Sequence, residues 1–513
     1  MIRCASAFQR RQRLFISSSM AVLTTTVPHA MVAVKHQRWR PYAARDTTPA
    51  SSEDTVVFGP LTAIALMCTP TAQAVEVSWD GHYRTAIRTF DSLSLSDKSG
   101  NPNSEEGSWW ADHRLRLAPA FRLSEHVSLY TEVDVLPLVP WGEQPVAMND
   151  PITGEEWPGV YAQSLQAPLT PDGADSQKNI NIRRVFAELN TEFAKIRFGR
   201  MPVEWGSGMV YNAGNDPLSE YGDTADRVQV SVPIGKIHLI GAFETNAENY
   251  VNAKDDLKTI TGAVAFLGER AGIGTYNTYR WQTFDDDARF RVFTGDLWAE
   301  AQLGGAHLEW EMAFQLGGGD FSETVNDVTV NGFGTHLSAI FGNDRFRGGM
   351  SMGMATGDGD PYDSEYSTFY FDPDFNTSLM LFEEPMPVLM HANPHPTNNG
   401  GREYGAVQLG DGISNAWYMR PVFQWTVMEG LDTEVAWFAA KAHKVSEATS
   451  GKKGYGSELD FTVDYRPFDH FELSSTVGFF FPGRYFKRFE HEELGGGFQD
   501  TAVGTRIVGT VKF

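Results

Sequence analysis

Charged and apolar side chains alternate along most of this sequence, and residues 455–481 are the clearest case. There Leu459, Phe461 and Val463 alternate with polar residues, most of them acidic, and the same pattern resumes after a turn at residues 467–469. A period of two is that of a β-strand, because its successive side chains point to opposite faces. Each such strand therefore has one apolar face and one face that carries charge.

Charged faces of this kind can line a pore, where ladders of charged side chains select the solute that passes. Inward positions counted strand by strand predict a basic wall on the first, second, fourth, fifth, sixth and last strands: Arg84, Arg88, Arg114, Arg116, Arg184, Lys195, Arg197, Arg227 and Arg506. An acidic wall is predicted opposite: Asp296, Glu300, Glu309, Glu311, Glu458, Asp460, Asp464 and Glu472. The two walls would set a transverse field across the pore. A second interpretation stays open, in which these charges pair across neighbouring strands and only brace the wall.

An acidic segment offers a second kind of chemistry. It places four carboxylates close together in the chain: Asp358, Asp360, Asp363 and Glu365. Carboxylate oxygens are ligands of Ca²⁺, so a weak calcium site is one expectation. The spacing is not that of an EF-hand loop, and a solvated loop without a metal is the alternative. We expect no other cofactor.

The histidines do not form a catalytic pattern. His391 and His395 lie close together, but Pro and Asn residues surround them and no matching nucleophile or acid accompanies them. An enzyme needs a nucleophile with its base and orienting group, or a metal site. The sequence also has no phosphate-binding loop or dinucleotide fingerprint between a strand and a helix. We therefore predict that the protein is not an enzyme.

The elements that must position the charged side chains are about eighteen strands. Eight hairpins recur, each with two alternating runs of about ten residues joined by a short turn, and an opening and a closing strand flank them. Strands of that length span a membrane in a β-barrel, and bacterial barrels have an even number of strands. We therefore predict an all-β fold, a transmembrane, antiparallel, up-and-down β-barrel. The short turns should face the periplasm and the long loops the outside.

A soluble all-β protein is the competing interpretation, because its strands also alternate when one face packs on a core. Charge on the inner face of nearly every strand argues against a dry core, since burying an unpaired charge costs several kcal/mol or more. Tryptophans near strand ends, such as Trp79, Trp205 and Trp437, match the aromatic belts of a membrane protein. A net charge of −23 argues against a nucleic-acid partner. The expected location is the outer membrane of a Gram-negative-type bacterium.

The amino-terminal region has features of a secreted protein. Residues 56–74 combine a short apolar core with a small-x-small pattern at residues 72–74, which signal peptidase cuts. We interpret residues 1–55 as an over-extended or unstructured leader, with a genuine long leader as the alternative. Residues 75–513 would then form the barrel. Both cysteines precede the cut, so the mature chain would carry no thiol.

Two further segments are predicted to shape the pore. The predicted closing strand, residues 501–513, alternates strictly from Val503 onward and ends on Phe513, which resembles the carboxyl-terminal signal that the outer-membrane assembly machinery reads. We expect this strand to close the barrel beside the first strand. The long connection 357–412 is partly apolar, which is unusual for a loop in water, and we predict that it folds into the lumen as a constriction. A surface site for a partner or for lipopolysaccharide is the alternative.

Two stretches resemble motifs of the alginate-export family of outer-membrane barrels. In residues 196–232, a strand ending in Gly-Arg leads through an aromatic-Gly-x-Gly turn and an acidic loop into Asp-Arg-Val, and the matching residues are Gly199, Arg200, Trp205, Gly206, Gly208, Asp226, Arg227 and Val228. Residues 355–385 resemble the same family's Gly-Asp-rich loop, which leads into a Phe-Asp-Pro segment. The resemblance implies an eighteen-stranded barrel with a carbohydrate or polysaccharide cargo. Export of a polyanion would favour a lumen that is basic all round, and this sequence does not predict one.

Together these patterns predict a porin-like outer-membrane channel for the passive passage of solutes, with a carbohydrate or polysaccharide as the cargo that the resemblance implies. One alternative is a dedicated export pore for an alginate-like exopolysaccharide, which would work with periplasmic export partners. Another is a plugged barrel whose loops bind at the cell surface. The other expected contacts are outer-membrane lipid and lipopolysaccharide, the outer-membrane assembly machinery, and small solutes.

Overall fold

The structure, a computed structural model, describes most of the chain from Val75 to Phe513. The described residues are 75–93, 95, 107–140, 180–247, 256–284, 288–320, 327–359, 363–384, 412–445, 452–486 and 500–513. The predicted leader (1–55) and signal peptide (56–74) lie outside them, as do His391 and His395. Among the described residues, no helix has the length and apolar character needed to cross a membrane.

In the described part of the chain, eighteen long strands build the fold. They are β1 (Gly81–Asp91), β2 (Ser108–Leu117), β3 (Val127–Pro140), β4 (Ile180–Asn190), β5 (Lys195–Pro202), β6 (Thr224–Ile234), β7 (Ile237–Ala247), β8 (Leu257–Leu267), β9 (Ala271–Thr283), β10 (Arg289–Leu303), β11 (Ala306–Gly319), β12 (Val328–Gly342), β13 (Phe346–Ala355), β14 (Ala416–Met428), β15 (Leu431–Ala442), β16 (Gly454–Phe468), β17 (Phe471–Pro482) and β18 (Ala502–Lys512). Each pairs antiparallel with the next, and β18 pairs with β1, so the sheet closes. The predicted eighteen-stranded barrel is confirmed.

The closing seam joins the first and last strands in a regular ladder. It runs from His82 opposite Lys512 to Asp91 opposite Val503. At its end the backbone groups of Gly81 and Phe513 exchange two hydrogen bonds, each of 3.1 Å. The strict alternation of the last residues therefore serves ring closure, and no edge strand is left unpaired at this seam.

The connections between strands differ in length on the two sides of the barrel. Turns within hairpins are short, such as residues 235–236 and 304–305, whereas connections between hairpins are long, such as residues 203–223 and 356–415. Bacterial barrels of this kind have their short turns in the periplasm and their long loops outside. Three short strands within the described residues add to this frame. Glu76–Ser78 pairs with Ala120–Arg122 in the β2–β3 connection, and Glu365–Tyr366 pairs parallel with β12.

The two faces of the barrel wall differ sharply in polarity. On β16, outward-facing Phe461 and Val463 are 43% and 42% exposed, while inward-facing Glu458 is fully buried. Large apolar side chains are exposed in the same way on most other strands, for example Phe243, Ile273, Leu337, Met352, Phe423 and Trp437. Such an apolar exterior would aggregate in water and is the lipid-facing surface of a transmembrane barrel. The protein is therefore a multi-pass β-barrel of the outer membrane.

Candidate functional site

Two long loops turn into the barrel and carry the candidate site. We name residues 203–223, between β5 and β6, inner loop A, and residues 356–415, between β13 and β14, inner loop B. Inner loop B is described at residues 356–359, 363–384 and 412–415. Many of their side chains are buried against inward-facing residues of the wall. These loops, rather than the wall alone, determine what the lumen can do.

The first part of inner loop A is bound to the wall at β9, β10 and β11. Trp205 packs on Tyr276 and Trp298, with ring centroids 5.4 and 6.3 Å apart. The amide and hydroxyl of Ser207 both donate to Glu311 Oε2, at 2.5 and 2.6 Å. Gly206 has a φ of +59°, and a Cβ there would overlap the Glu311 carboxylate. Only glycine fits this approach, which explains the aromatic-Gly-x-Gly pattern of the sequence.

The second part of inner loop A is bound to the opposite part of the wall by arginines. Their guanidinium groups donate to main-chain carbonyls of the loop: Arg114 to Ser219 (2.6 Å) and Pro217 (2.9 Å), Arg116 to Gly214 (2.6 Å), Arg183 to Tyr221 (2.9 Å), and Arg184 to Ala213 (2.5 Å). A guanidinium has five N–H donors in a fixed fork, so one arginine can hold two carbonyls at once. Inner loop A therefore crosses the lumen from β9–β11 to β2–β4. Arg183 was not among the residues predicted from the sequence.

Carboxylates lie between the arginines of the predicted basic wall. The closest pairs within the wall are Arg84 with Asp112 (2.8 Å), Arg116 with Asp134 (2.7 Å), Arg184 with Glu132 (2.9 Å), Lys195 and Arg197 with Glu188 (3.1 and 2.8 Å), and Arg227 with Glu244 (3.3 Å). Only the basic members of these pairs were predicted from the sequence. The wall is therefore a buried network of paired charges rather than a purely basic surface. Removing one partner of such a pair costs about 3–5 kcal/mol, because the other charge stays buried alone.

The predicted acidic wall is divided between two places. On one side, Asp296 and Glu311 are fully buried beside each other, Glu309 accepts from the indole of Trp298 at 3.3 Å, and Glu300 is half-buried. On the other side, Glu458, Asp460 and Asp464 lie on β16 and Glu472 lies on β17. β17 is the neighbour of β18, so this second group adjoins Arg506 instead of facing it. The prediction of one acidic wall opposite the basic residues is wrong for β16 and β17.

Inner loop B is attached to Glu458 by three hydrogen bonds. The amides of Leu379, Met380 and Leu381 donate to its two carboxylate oxygens, at 3.0, 2.8 and 2.8 Å. The four side chains from Leu379 to Phe382 are buried, and Phe382 packs on Phe438 and Tyr455 of β15 and β16. The apolar stretch that is unusual for a loop in water thus lies inside the barrel where it is described. Residues 385–411 of this loop lie outside the described residues.

A second apolar contact holds inner loop B against β12 and β14. Phe371 packs on Phe375 and Tyr418, with ring centroids 5.5 and 6.3 Å apart. Phe369 packs on Phe371 and lies over Gly334 of β12. Inner loop B therefore also crosses the lumen, from β12–β14 toward β15–β18.

A side chain at Gly334 should displace inner loop B. A Cβ there would meet ring atoms of Phe369 at 2.5 Å and of Phe371 at 2.9 Å. We expect Gly334→Val to leave the barrel folded and to make inner loop B accessible to protease, because the valine methyls need the volume that the rings occupy. Gly262→Val is the matched control, since a Cβ at Gly262, on the outer face, meets nothing within 4 Å. Unchanged proteolysis of the Gly334→Val protein would contradict the inward position of the loop.

The two inner loops meet in the lumen. Asp374 Oδ1 of inner loop B accepts from the amides of Glu220 and Tyr221 of inner loop A, at 2.7 and 3.2 Å. The amide of Asp372 donates to the carbonyl of Met209 at 2.7 Å. Asn212 Nδ2 donates to the carbonyl of Asp374 at 3.2 Å. We name this set of contacts the loop junction.

A gap remains beside the loop junction, against the seam of the barrel. Its wall side is formed by Arg88 and Arg506, and its loop side is formed by Leu218, Glu220, Tyr221, Pro373, Asp374, Asn376, Glu383 and Glu384. Arg88 is ion-paired with Glu220 and lies 3.6 Å from Asp112. Basic groups of the wall and acidic groups of the loops therefore face each other across the gap. Of these residues, only the two arginines were predicted from the sequence.

The lumen toward the periplasmic side of β14–β18 is lined by charges that water reaches. Arg466 is ion-paired with Asp432, their side chains are 37% and 32% exposed, and Arg466 also lies 3.5 Å from Glu472. Lys512 pairs with Glu472 at 2.6 Å, and Arg420 pairs with Glu434. These side chains point inward, so their exposure means that this part of the lumen is open. We name it the vestibule.

The residues of the alginate-export resemblance serve local structure where the structure describes them. Gly199 and Gly208 have φ angles of +119° and +80°, which favour glycine. Arg200 and Asp226 form a bidentate ion pair at 2.8 and 2.7 Å, half-exposed and on the outward face of β5 and β6. Arg227 points inward and pairs with Glu244. These contacts brace the strands that carry inner loop A.

The acidic segment at residues 358–365 uses its described carboxylates within the loop. Asp358, Asp363 and Glu365 accept hydrogen bonds from Ser367, Glu365 and Ser367 respectively. Asp360 lies outside the described residues, and within the described residues no group of three or more potential ligands is arranged to hold a metal ion. The calcium site stays a prediction.

Comparison with known proteins gives structural neighbours. No protein-family model and no curated protein matches the chain. Similar solved structures include the outer membrane protein opdK from Pseudomonas aeruginosa, with a TM-score of 0.49 and 11% identity over 85% of this chain and 98% of that one. OpdL from the same organism has a TM-score of 0.48 and 10% identity over 85% and 99%. An anion-selective porin from Comamonas acidovorans has a TM-score of 0.40 and 10% identity over 86% and 100%.

The sequence identities are 11% or less and the TM-scores are below 0.5, so these neighbours say nothing about which solute passes through the barrel. The resemblance to the alginate-export family gains no support from them and stays a prediction. The charges and contacts inside this chain are therefore the basis on which its function can be inferred.

Proposed function

We propose that the protein is a passive outer-membrane channel for small polar solutes, which pass through the gap between the inner loops and the seam of the barrel. The observation that carries the proposal is the position of this gap. Arg88 and Arg506 form one side of it and carboxylates of both inner loops form the other. The vestibule, with its water-exposed ion pairs, lies on the periplasmic side of the same wall.

The opposed charges of the gap favour solutes that carry several polar groups. A solute there meets guanidinium donors on the wall side and carboxylate acceptors on the loop side, so hydroxyl-rich or dipolar molecules can replace lost water on both sides. A small carbohydrate fits this chemistry, in keeping with the cargo that the family resemblance implies. The hydrogen-bonded loop junction crosses the lumen, which favours small solutes over a polysaccharide chain. An export pore would need the junction to open.

Single-channel recording tests this proposal. The protein purified from outer membranes should form steady channels in a planar bilayer, and millimolar disaccharide should reduce the current by entering the water-exposed vestibule. The double variant Arg88→Gln, Arg506→Gln should shift the reversal potential in a salt gradient toward cations, because the loop carboxylates then dominate the gap. Arg345→Gln is the matched control, since Arg345 is exposed in the β12–β13 turn.

Two outcomes would overturn the proposal. Silence from a correctly folded barrel would mean that the inner loops plug it, and surface binding would become the better account. Normal conductance with identical ion selectivity in the double variant and the control would mean that solutes pass elsewhere in the lumen. In both cases the fold, judged by the heat-dependent migration of the barrel in gels, must be intact.

A further inference from the structure

The loop junction contains a direct contact between two carboxyl groups. Asp223 is the last residue of inner loop A and Asp372 belongs to inner loop B, and their side chains are hydrogen-bonded to each other. An ionised carboxylate can only accept, so two of them cannot form a hydrogen bond without a proton. The closed junction therefore holds at least one proton between the two loops.

The backbone around this carboxyl pair holds it in place. The amide of Asp223 donates to the carbonyl of Asn212 at 2.6 Å, and the amide of Asp372 donates to the carbonyl of Met209 at 2.7 Å. The charged groups that face the pair or its neighbour Asp374 come from β2, β4, β9 and both loops: Arg114, Arg116, Arg183, Arg280, Asp216 and Asp374. The pair thus lies between arginines of the wall and a third buried carboxylate.

Burial makes both carboxyl groups hold their protons more tightly than usual. Burial raises the pKa of Asp223 to about 6, and burial with the nearby charge of Asp223 raises the pKa of Asp372 to about 9. When the loops separate and water enters, both values return toward the usual pKa of about 3.9 for aspartate. The closed junction thus binds protons better than the open one. The stabilisation that these protons give to the closed junction is fully present at acid pH and is lost as the pH rises through the two raised pKa values.

We propose that the loop junction is a proton-dependent gate, in which a proton shared by Asp223 and Asp372 joins the inner loops and its loss under alkaline conditions lets them separate. The gate would widen the passage beside the seam, because Glu220 and Asp374 line both the junction and the gap. Such a gate adds regulation to the proposed channel. The electrical test of this gate rests on the proposed channel function, whereas the chemical test does not.

The electrical test follows, against pH, the fraction of time that single channels spend in a wider, higher-conductance state in which the junction is open. Over the range between the two raised values, the closed junction carries one proton that the open junction lacks, so the ratio of wide to narrow states should rise by about tenfold per pH unit. In Asp372→Asn the side-chain amide donates to Asp223 at every pH, so the wide fraction should stay low and flat. Asp344→Asn, in the exposed β12–β13 turn, should keep the wild-type slope.

A chemical test follows the separation of the loops without any current. Met209 is fully buried at the junction, so the thiol of a Met209→Cys variant should react with a maleimide only when the loops part. Its rate is divided by that of an Asp344→Cys variant, which removes the effect of pH on the thiol itself. The parent protein, with Cys4 and Cys68 as its only cysteines, gives the background. The normalised rate should rise steeply with pH and become flat when Asp372→Asn is added.

The outcomes separate the gate from the channel. A flat normalised rate in the Met209→Cys protein, or an equal slope with and without Asp372→Asn, would overturn the gate. A steep rate without conductance at any pH would keep the gate and overturn the channel. Should Asp372→Asn fail to fold, Asp223→Asn replaces the other member of the pair and carries the same expectation.

Discussion

Replacing Glu458 with alanine is expected to release inner loop B from the barrel wall and to raise the conductance severalfold. Three main-chain amides, those of Leu379, Met380 and Leu381, lose their acceptor at once. A buried donor left without a partner costs about 1–3 kcal/mol. The segment can lower this cost only by moving to water, and it then exposes four buried apolar side chains. Single-channel recording and limited proteolysis of the folded barrel measure the two effects.

Two further variants make this prediction specific. Glu458→Gln keeps one oxygen acceptor in the same place and should show a smaller change than Glu458→Ala. Glu434→Ala removes another inward carboxylate, which is bound to Arg420 and Gln424 of the neighbouring strand rather than to a loop. It should lower stability but leave inner loop B in place. Equal conductance and equal proteolysis in all three variants would show that Glu458 does not hold the loop.

The barrel could be predicted from the sequence because the information lies in short segments. Alternation within residues 455–481 identifies two strands and the turn between them without reference to any other part of the chain. The same is true of the other hairpins, and an even strand count with a final strand beside the first then fixes closure. Lipid-facing positions such as Phe461 and Val463 could be assigned for the same reason.

The interior could be predicted only in part, because its contacts join distant residues. The partners of Arg114 are carbonyls more than a hundred residues away, and carbonyls carry no sequence signal. The apolar stretch around Leu379 did indicate a buried loop, since four large apolar residues are unusual in water. Inner loop A is polar and gave no such signal. Its traces in the sequence are the aromatic-Gly-x-Gly turn, which reflects the close approach of Gly206 to Glu311, and the adjacent arginines Arg183 and Arg184, which interrupt the simple alternation of β4.

The pairing of charges could have been predicted from residue positions alone. Asp112, Glu132 and Asp134 lie at inward positions of β2 and β3. Each binds an arginine on the neighbouring strand. If inward residues of both signs had been counted, the sequence would have predicted a network of paired charges in place of a basic wall. The bracing interpretation therefore describes β1–β4 better than the selectivity interpretation does, while Arg88 and Arg506 at the gap keep a role in selectivity open to test.

Reversing the charge of Arg114 and Arg116 together is expected to expel inner loop A from the lumen. The double change to glutamate removes the donors to Ser219, Pro217 and Gly214, and it places new carboxylates against those carbonyls and against Asp134. Loss of one partner from a buried pair costs about 3–5 kcal/mol, and the new repulsion adds to this. We expect a lower free energy of unfolding in urea, a larger conductance and a strong shift toward cation selectivity.

Two controls distinguish the loss of the loop contacts from the change in net charge. Arg200→Glu alters an ion pair of similar geometry on the outward face, where its partner Asp226 is half-exposed. Arg200 and Asp226 lie two residues from the loop ends of β5 and β6, and a charge on the lipid-facing surface near the membrane interface costs only about 0–1 kcal/mol, so this variant should keep wild-type conductance and selectivity. Arg114→Lys keeps the charge but loses the fork that holds two carbonyls, so it should loosen inner loop A without the full change in selectivity. Releasing inner loop A must widen the lumen, and reversing two charges that face the solute must change its ion selectivity. Unchanged conductance and unchanged selectivity in the double variant would therefore mean that these arginines neither hold inner loop A nor act on the permeating solute.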